Sequence, residues 1–121
     1  MMHRRKSEMM TSEERQFMLT AAWLFVRHGR SERARVIIEA LQEENPRDGV
    51  SAAALAELLL ASGEAERALA VIRSADFPAE LARAEAILET RALDKIGRTA
   101  ESERRWKRYL ASKKGERRSW I

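Results

Sequence analysis

The 121-residue chain contains no cysteine, which removes disulfide staples, thiolate catalysis and cysteine-ligated zinc or iron–sulfur sites from consideration. Histidine is nearly absent too: His3 lies close to the N-terminus and His28 beside a glycine. His28 and Glu32 are four residues apart with a turn expected between them and no further ligand in the pattern. No metal or other cofactor is therefore expected. There is no glycine-rich phosphate loop, no serine nucleophile elbow and no paired-carboxylate signature, so neither catalysis nor a small-molecule substrate is expected. No apolar run approaches the roughly 20 residues of a membrane-spanning helix. His3-Arg4-Arg5-Lys6 is followed by Ser7-Glu8 rather than by the apolar stretch of a signal peptide. A soluble, cytoplasmic protein without a membrane span is the expectation. Five glycines and two prolines also supply too few breaks for a β-sandwich or barrel of this length.

What the chain does have is alanine, leucine, glutamate and arginine, with 45% hydrophobic and 35% charged residues. Those are helix formers in proportions that support one packed all-α domain with broad solvated faces. The net charge of +4 is local. Residues 98–121 hold nine Lys or Arg against three Glu, whereas residues 1–97 hold 14 positive and 16 negative side chains. A basic C-terminal end with interleaved aromatics, Arg104-Arg105-Trp106-Lys107-Arg108-Tyr109, resembles a nucleic-acid surface. However, Trp106, Tyr109 and Leu110 share one helical face and are expected in the core, leaving the cations as a solvated outer face. Nucleic-acid binding is therefore the weaker reading.

Gly29, Gly63 and Gly97 stand 34 residues apart, the period of a helix–turn–helix repeat in which glycine relieves the turn between an A and a B helix. Ala34 and Ile38 follow the first glycine at the offsets that Ala68 and Ile72 occupy after the second. A small residue there lets the B helix approach its partner, and the large apolar residue one turn later fills the gap to the next unit. At the third unit these offsets hold Ser102 and Trp106, with Ala100 suggesting a slipped register. In the A helices Met18, Ala21, Ala22 and Phe25 recur at helical spacing, as do Ala52, Leu55, Ala56 and Leu59; Ala86 and Leu93 fit, but Glu89 and Thr90 do not. Thr11-Ser12-Glu13-Glu14 predicts a capping box, Asn45-Pro46 a helix end, and Pro78 the first turn of a fifth helix. Six helices are predicted over residues 12–28, 31–44, 50–61, 64–75, 78–95 and 98–112, in units at about 15–48, 49–82 and 83–112. The domain spans 11–112, with an N-terminal tail over 1–10 and a basic tail over 113–121.

On the glycine period and the Ala34/Ile38 and Ala68/Ile72 pairs, the chain resembles the tetratricopeptide repeat (TPR) family over residues 12–112. The resemblance implies a three-repeat superhelix of six antiparallel helices whose concave side, lined by the A helices, binds extended or helical peptides. The groove residues it assigns are Leu19, Trp23, Val26, Arg27, Val50, Glu57, Leu60, Ile87 and Arg91, with the large apolar members as floor and Arg27, Glu57 and Arg91 at the edges. The bland alternative places Trp23 and Leu19 inside the first helical pair. Co-chaperones of this family clamp a C-terminal carboxylate with polar side chains, but Leu19, Trp23, Ala54, Ala84 and Leu88 stand in those slots, which disfavours that class.

In size, repeat number and groove character the chain is similar to the TPR subunit of the chaperone that keeps the needle subunit of type III secretion systems monomeric. The residues concerned are Trp23-Leu24-Phe25, Arg33-Ala34-Arg35-Val36-Ile37-Ile38 and Arg67-Ala68-Leu69-Ala70-Val71-Ile72. That resemblance implies an amphipathic partner helix in the groove and a second small helical co-chaperone. A general TPR interaction module with another partner, or a basic nucleic-acid adaptor, are the alternatives.

Overall fold

The computed structural model describes the backbone of residues 11–119 and the side chains of residues 11–114. The expected tail over 1–10 lies outside the described residues. Among the described residues six α-helices follow one another: α1 (Ser12–Arg27), α2 (Ser31–Glu44), α3 (Gly49–Ala61), α4 (Ala65–Ser74), α5 (Ala82–Lys95) and α6 (Thr99–Ser119), with a short 3₁₀ turn at Ala79–Leu81 before α5. No strand occurs among the described residues, and none of their helices is long and apolar enough to cross a membrane. Each helix packs on its chain neighbour, and α3 also meets α5.

The three reversals within helical pairs share one construction. Gly29, Gly63 and Gly97 have φ of 75°, 82° and 84°, the left-handed region that side chains resist. At each, the glycine N–H donates to the carbonyl three residues back, and the next N–H donates to the carbonyl five residues back: Arg30 to Phe25 at 2.7 Å, Glu64 to Leu59 at 2.8 Å, Arg98 to Leu93 at 2.8 Å. These paired bonds satisfy carbonyls that a helix end otherwise leaves bare. The capping box at α1 is formed, Glu14 N–H donating to Thr11 Oγ1 at 3.1 Å and Thr11 N–H to Glu14 Oε1 at 2.8 Å.

The connections between hairpins are built differently. Asp48 caps α3 by accepting the Ser51 N–H at 3.0 Å and also accepts Arg15 at 2.9 Å. The Asp48 segment lies beside the one at Asp76, whose N–H donates to the Arg47 carbonyl at 2.8 Å while its carboxylate accepts from Nε and Nη2 of Arg47. Gly49 leaves the room for this approach: a Cβ there would stand 2.7 Å from the Asp76 carbonyl oxygen and 2.8 Å from Phe77 Cα.

Ala34, Ala68, Ala52, Ala56, Ala86 and Ala92 are fully buried, with Ile38, Ile72, Leu41, Leu55, Leu59 and Leu93 filling the space between helices. Close approach through alanine and volume through the branched residues is the division of labour that the repeat spacing predicts. Four expectations need correction. The helix after Pro78 begins at Ala82, because Pro78 is extended (ψ 159°) and leads into the 3₁₀ turn instead. The register does not slip at the third unit: Ser102 is buried where Ala34 and Ala68 are, its hydroxyl donating to the Thr90 carbonyl at 3.2 Å, and Ala100 is exposed. The expected basic tail from 113 continues α6 to Ser119, since between Ala111 and Ser119 only Gly115 disfavours a helix. Trp106, Tyr109 and Leu110 do not enter the core; the first two are half-buried and Leu110 is 43% exposed.

Candidate functional site

At the 34-residue period, side chains of α1, α3 and α5 fall into sets of equivalent positions. Leu19, Ala53 and Ile87 form one and Trp23, Glu57 and Arg91 another. Within the second, Arg91 donates to Glu57 at 2.8 Å, an ion pair that ties α5 to α3 on an exposed surface. Trp23, at the α1 end, is 56% exposed, and the Arg27 guanidinium lies 4.7 Å above its ring. An indole held flat under a cation is spared some rotamer freedom while keeping an open apolar edge.

Of the nine residues assigned from sequence, Val26 and Val50 are exposed at 41% and 44%, Leu19 and Ile87 are half-buried, and Arg27, Glu57 and Arg91 are exposed. Leu60 is a correction: at 4% exposure it belongs to the core and lines no surface. It occupies the place of Val26 one unit on, yet it is buried where Val26 is exposed. Trp23 is not inside the first helical pair, which removes the bland alternative for that side chain.

The unexpected centre is Glu89. Its carboxylate is buried where Leu55 sits one unit earlier, and it accepts Arg73 Nε at 2.9 Å from α4 and Arg105 Nε at 2.5 Å from α6. Arg73 also reaches Glu101 at 2.8 Å. Burial works to raise the Glu89 pKa, but the hydrogen bonds and charges of Arg105 and Arg73 outweigh it and hold the carboxyl below its ordinary value. Similar pairs cross the earlier junction, Arg35 gripping Glu64 at 2.6 and 3.1 Å and Arg67 reaching Glu39 at 2.8 Å. Arg35, with help from Ser62, brings the Glu64 pKa down to about 2. These carboxylates tie neighbouring helices together through ion pairs.

At the far end, Arg83, Trp106, Tyr109, Leu110, Lys113 and Lys114 surround a depression of about 380 Å³, with the Trp106 and Tyr109 ring centroids 5.2 Å apart. At the near end, α1 exposes Phe17 (71%) and Leu24 (46%), and α2 exposes Val36 (67%). The sequence singled out neither Phe17 nor Leu24 as surface: their spacing is that of any buried helix face, and spacing does not report what covers that face. No protein-family model matches the chain, and no curated protein matches it.

Proposed function

We propose that the chain is a TPR-like three-repeat superhelix that serves as a small chaperone or adaptor, holding an amphipathic helix of a partner protein against the face of α1, α3 and α5. The observation that carries this reading is Trp23, 56% exposed under Arg27, one helical turn from exposed Val26 and at the position that the ion-paired Glu57 and Arg91 hold one and two 34-residue periods on. A large aromatic anchor next to aliphatic surface, with charges of both signs beyond it, suits the apolar stripe and polar flanks of such a helix. The three identical glycine turns and the buried Ala34/Ile38 and Ala68/Ile72 pairs support the repeat assignment.

The partner implied by resemblance is the needle subunit of a type III secretion system, kept monomeric before export, with a second small helical co-chaperone completing the complex. A protein that polymerises through apolar helices is held back if one of those helices is occupied. Co-expression with a needle subunit, followed by size-exclusion chromatography, tests this. A stoichiometric complex with the needle subunit unpolymerised is expected; needle polymers forming as readily with the chain as without it would refute it.

A further inference from the structure

Each junction between hairpins shows which side chains meet there. Gln42 of α2 accepts the Ser51 hydroxyl of α3 at 3.2 Å, Arg35 grips Glu64, and Arg73 of α4 reaches Glu89 of α5. Moving these contacts along by the 34-residue period gives the surfaces left without a neighbouring hairpin among the described residues. Ser51 (fully buried) and half-buried Glu85 share their place with Phe17, and Leu58 and Ala92 share theirs with Leu24, so the exposed apolar residues of α1 lie where the later units are covered by a preceding hairpin. Gln42, two units on, becomes Leu110, and Ile38 becomes Trp106. The last hairpin thus ends on the surface that would cover the first.

We propose that a second copy of this chain occupies that edge, the α6 end of one copy stacking on the α1 end of the next in the register that the internal junctions use. In that register the Gln42–Ser51 contact becomes Leu110 against Phe17, two exposed apolar side chains, 43% and 71% accessible. The Arg35–Glu64 pair becomes Glu103 with Arg30, an ion pair of reversed polarity between two exposed residues. Lys113 and Lys114 lie one turn beyond Leu110 on α6, and Glu13 and Glu14 one turn before Phe17 on α1, so opposite charges flank the Leu110–Phe17 contact. One pair opposes the stack: Arg67–Glu39 becomes Arg33 with Lys107, both exposed, where solvent screening keeps the repulsion small. The two ends differ from each other, so the contact is head to tail and leaves a free end on every assembly. Phe17 and Leu110 are not among the residues assigned to the partner helix.

Sedimentation velocity on wild type, Phe17→Glu, Leu110→Glu and an equimolar mixture of the two variants tests the proposal. Wild type is expected to exceed the 13.9 kDa monomer mass increasingly with concentration. Each variant alone should stay monomeric with unchanged helicity, since both sites are exposed. The mixture should form a species of two copies and nothing larger, because one intact Phe17 edge meets one intact Leu110 edge while the outer edges carry glutamates. A wild type monomeric at every concentration, or a mixture as monomeric as its components, overturns it. Arg30→Glu and Glu103→Arg check the register independently of apolar surface: each should weaken association at least threefold and the double variant should restore it, and additive weakening would contradict the register.

Discussion

Two glycine-to-alanine changes separate two physical roles that look alike in sequence. At Gly63, φ is +82° and an added Cβ meets nothing within 4 Å, so Gly63→Ala tests backbone strain alone. The left-handed conformation costs an L-residue about 1–2 kcal/mol, and the lower entropy of the unfolded alanine chain returns about 0.4–1 kcal/mol. A net loss of about 1 kcal/mol is expected, and the same at Gly29 and Gly97, whose surroundings are equally open. At Gly49 the backbone dihedral is ordinary, but the new Cβ lies 2.7 Å from the Asp76 oxygen and 2.8 Å from Phe77 Cα, main-chain atoms that cannot swing aside. Overpacking of that kind costs about 1–3 kcal/mol. With a urea slope of about 1.5 kcal/mol per molar, midpoints followed by far-ultraviolet circular dichroism should fall by about 0.7 M for Gly63→Ala and about 1.3 M for Gly49→Ala. Asparagine distinguishes the causes: it tolerates the left-handed region, so Gly63→Asn should recover part of the loss, whereas Gly49→Asn should be worse than Gly49→Ala. The reasoning fails if Gly49→Ala is as stable as wild type, or if Gly63→Asn is no better than Gly63→Ala.

Glu89→Ala removes the buried carboxylate that Arg73 and Arg105 share and leaves half-buried Arg105 without it; a loss of about 3 kcal/mol is expected in urea unfolding, and a loss below 1 kcal/mol would show the pair to be solvated. Acid should weaken the fold: Glu64 has its pKa brought down to about 2, and Asp48, Glu89 and Glu101 are also lowered, so the stability they contribute is complete above their unfolded values and drains as pH falls from about 4.5 toward 2. Melting temperatures measured across that window check the sign, and a fold more stable at pH 3 than at pH 6 would reverse it. Ala34→Glu and Ala68→Glu place a charged chain where exposure is zero and should abolish cooperative unfolding, whereas Val36→Glu, at a 67% exposed site, should change stability by less than about 0.5 kcal/mol.

Helix existence and hairpin turns were legible because one residue type at one spacing carries them: only glycine takes φ near +80° without strain, and three glycines 34 apart therefore mark three turns. The core alanines were legible for the same reason. The third unit was harder to read. Glu89 violates the apolar pattern and finds its partners 16 residues away on either side, in Arg73 and Arg105, which no local periodicity reports. Ser102 fits because its hydroxyl bonds the Thr90 carbonyl, so a small polar residue does the work of alanine there. Leu60 and Val26 share a repeat position and differ in burial, 4% against 41% exposed. Spacing reports the face of a helix, whereas exposure depends on what covers that face.

The affinity of Trp23→Glu for an amphipathic helix, set beside that of Leu60→Glu, tests the partner-binding account most directly. Isothermal titration calorimetry with a peptide of the needle subunit's C-terminal helix supplies the affinities, and circular dichroism supplies the helicity of each variant. Trp23→Glu is expected to keep wild-type helicity, because the side chain is 56% exposed, and to lose at least about 2 kcal/mol of binding, roughly thirtyfold, as a central aromatic anchor does. Leu60→Glu is expected to lose helicity and binding together, since its side chain is 4% exposed. A folded Trp23→Glu that binds the peptide as tightly as wild type, or a wild type that does not bind it, would contradict the assignment of this face.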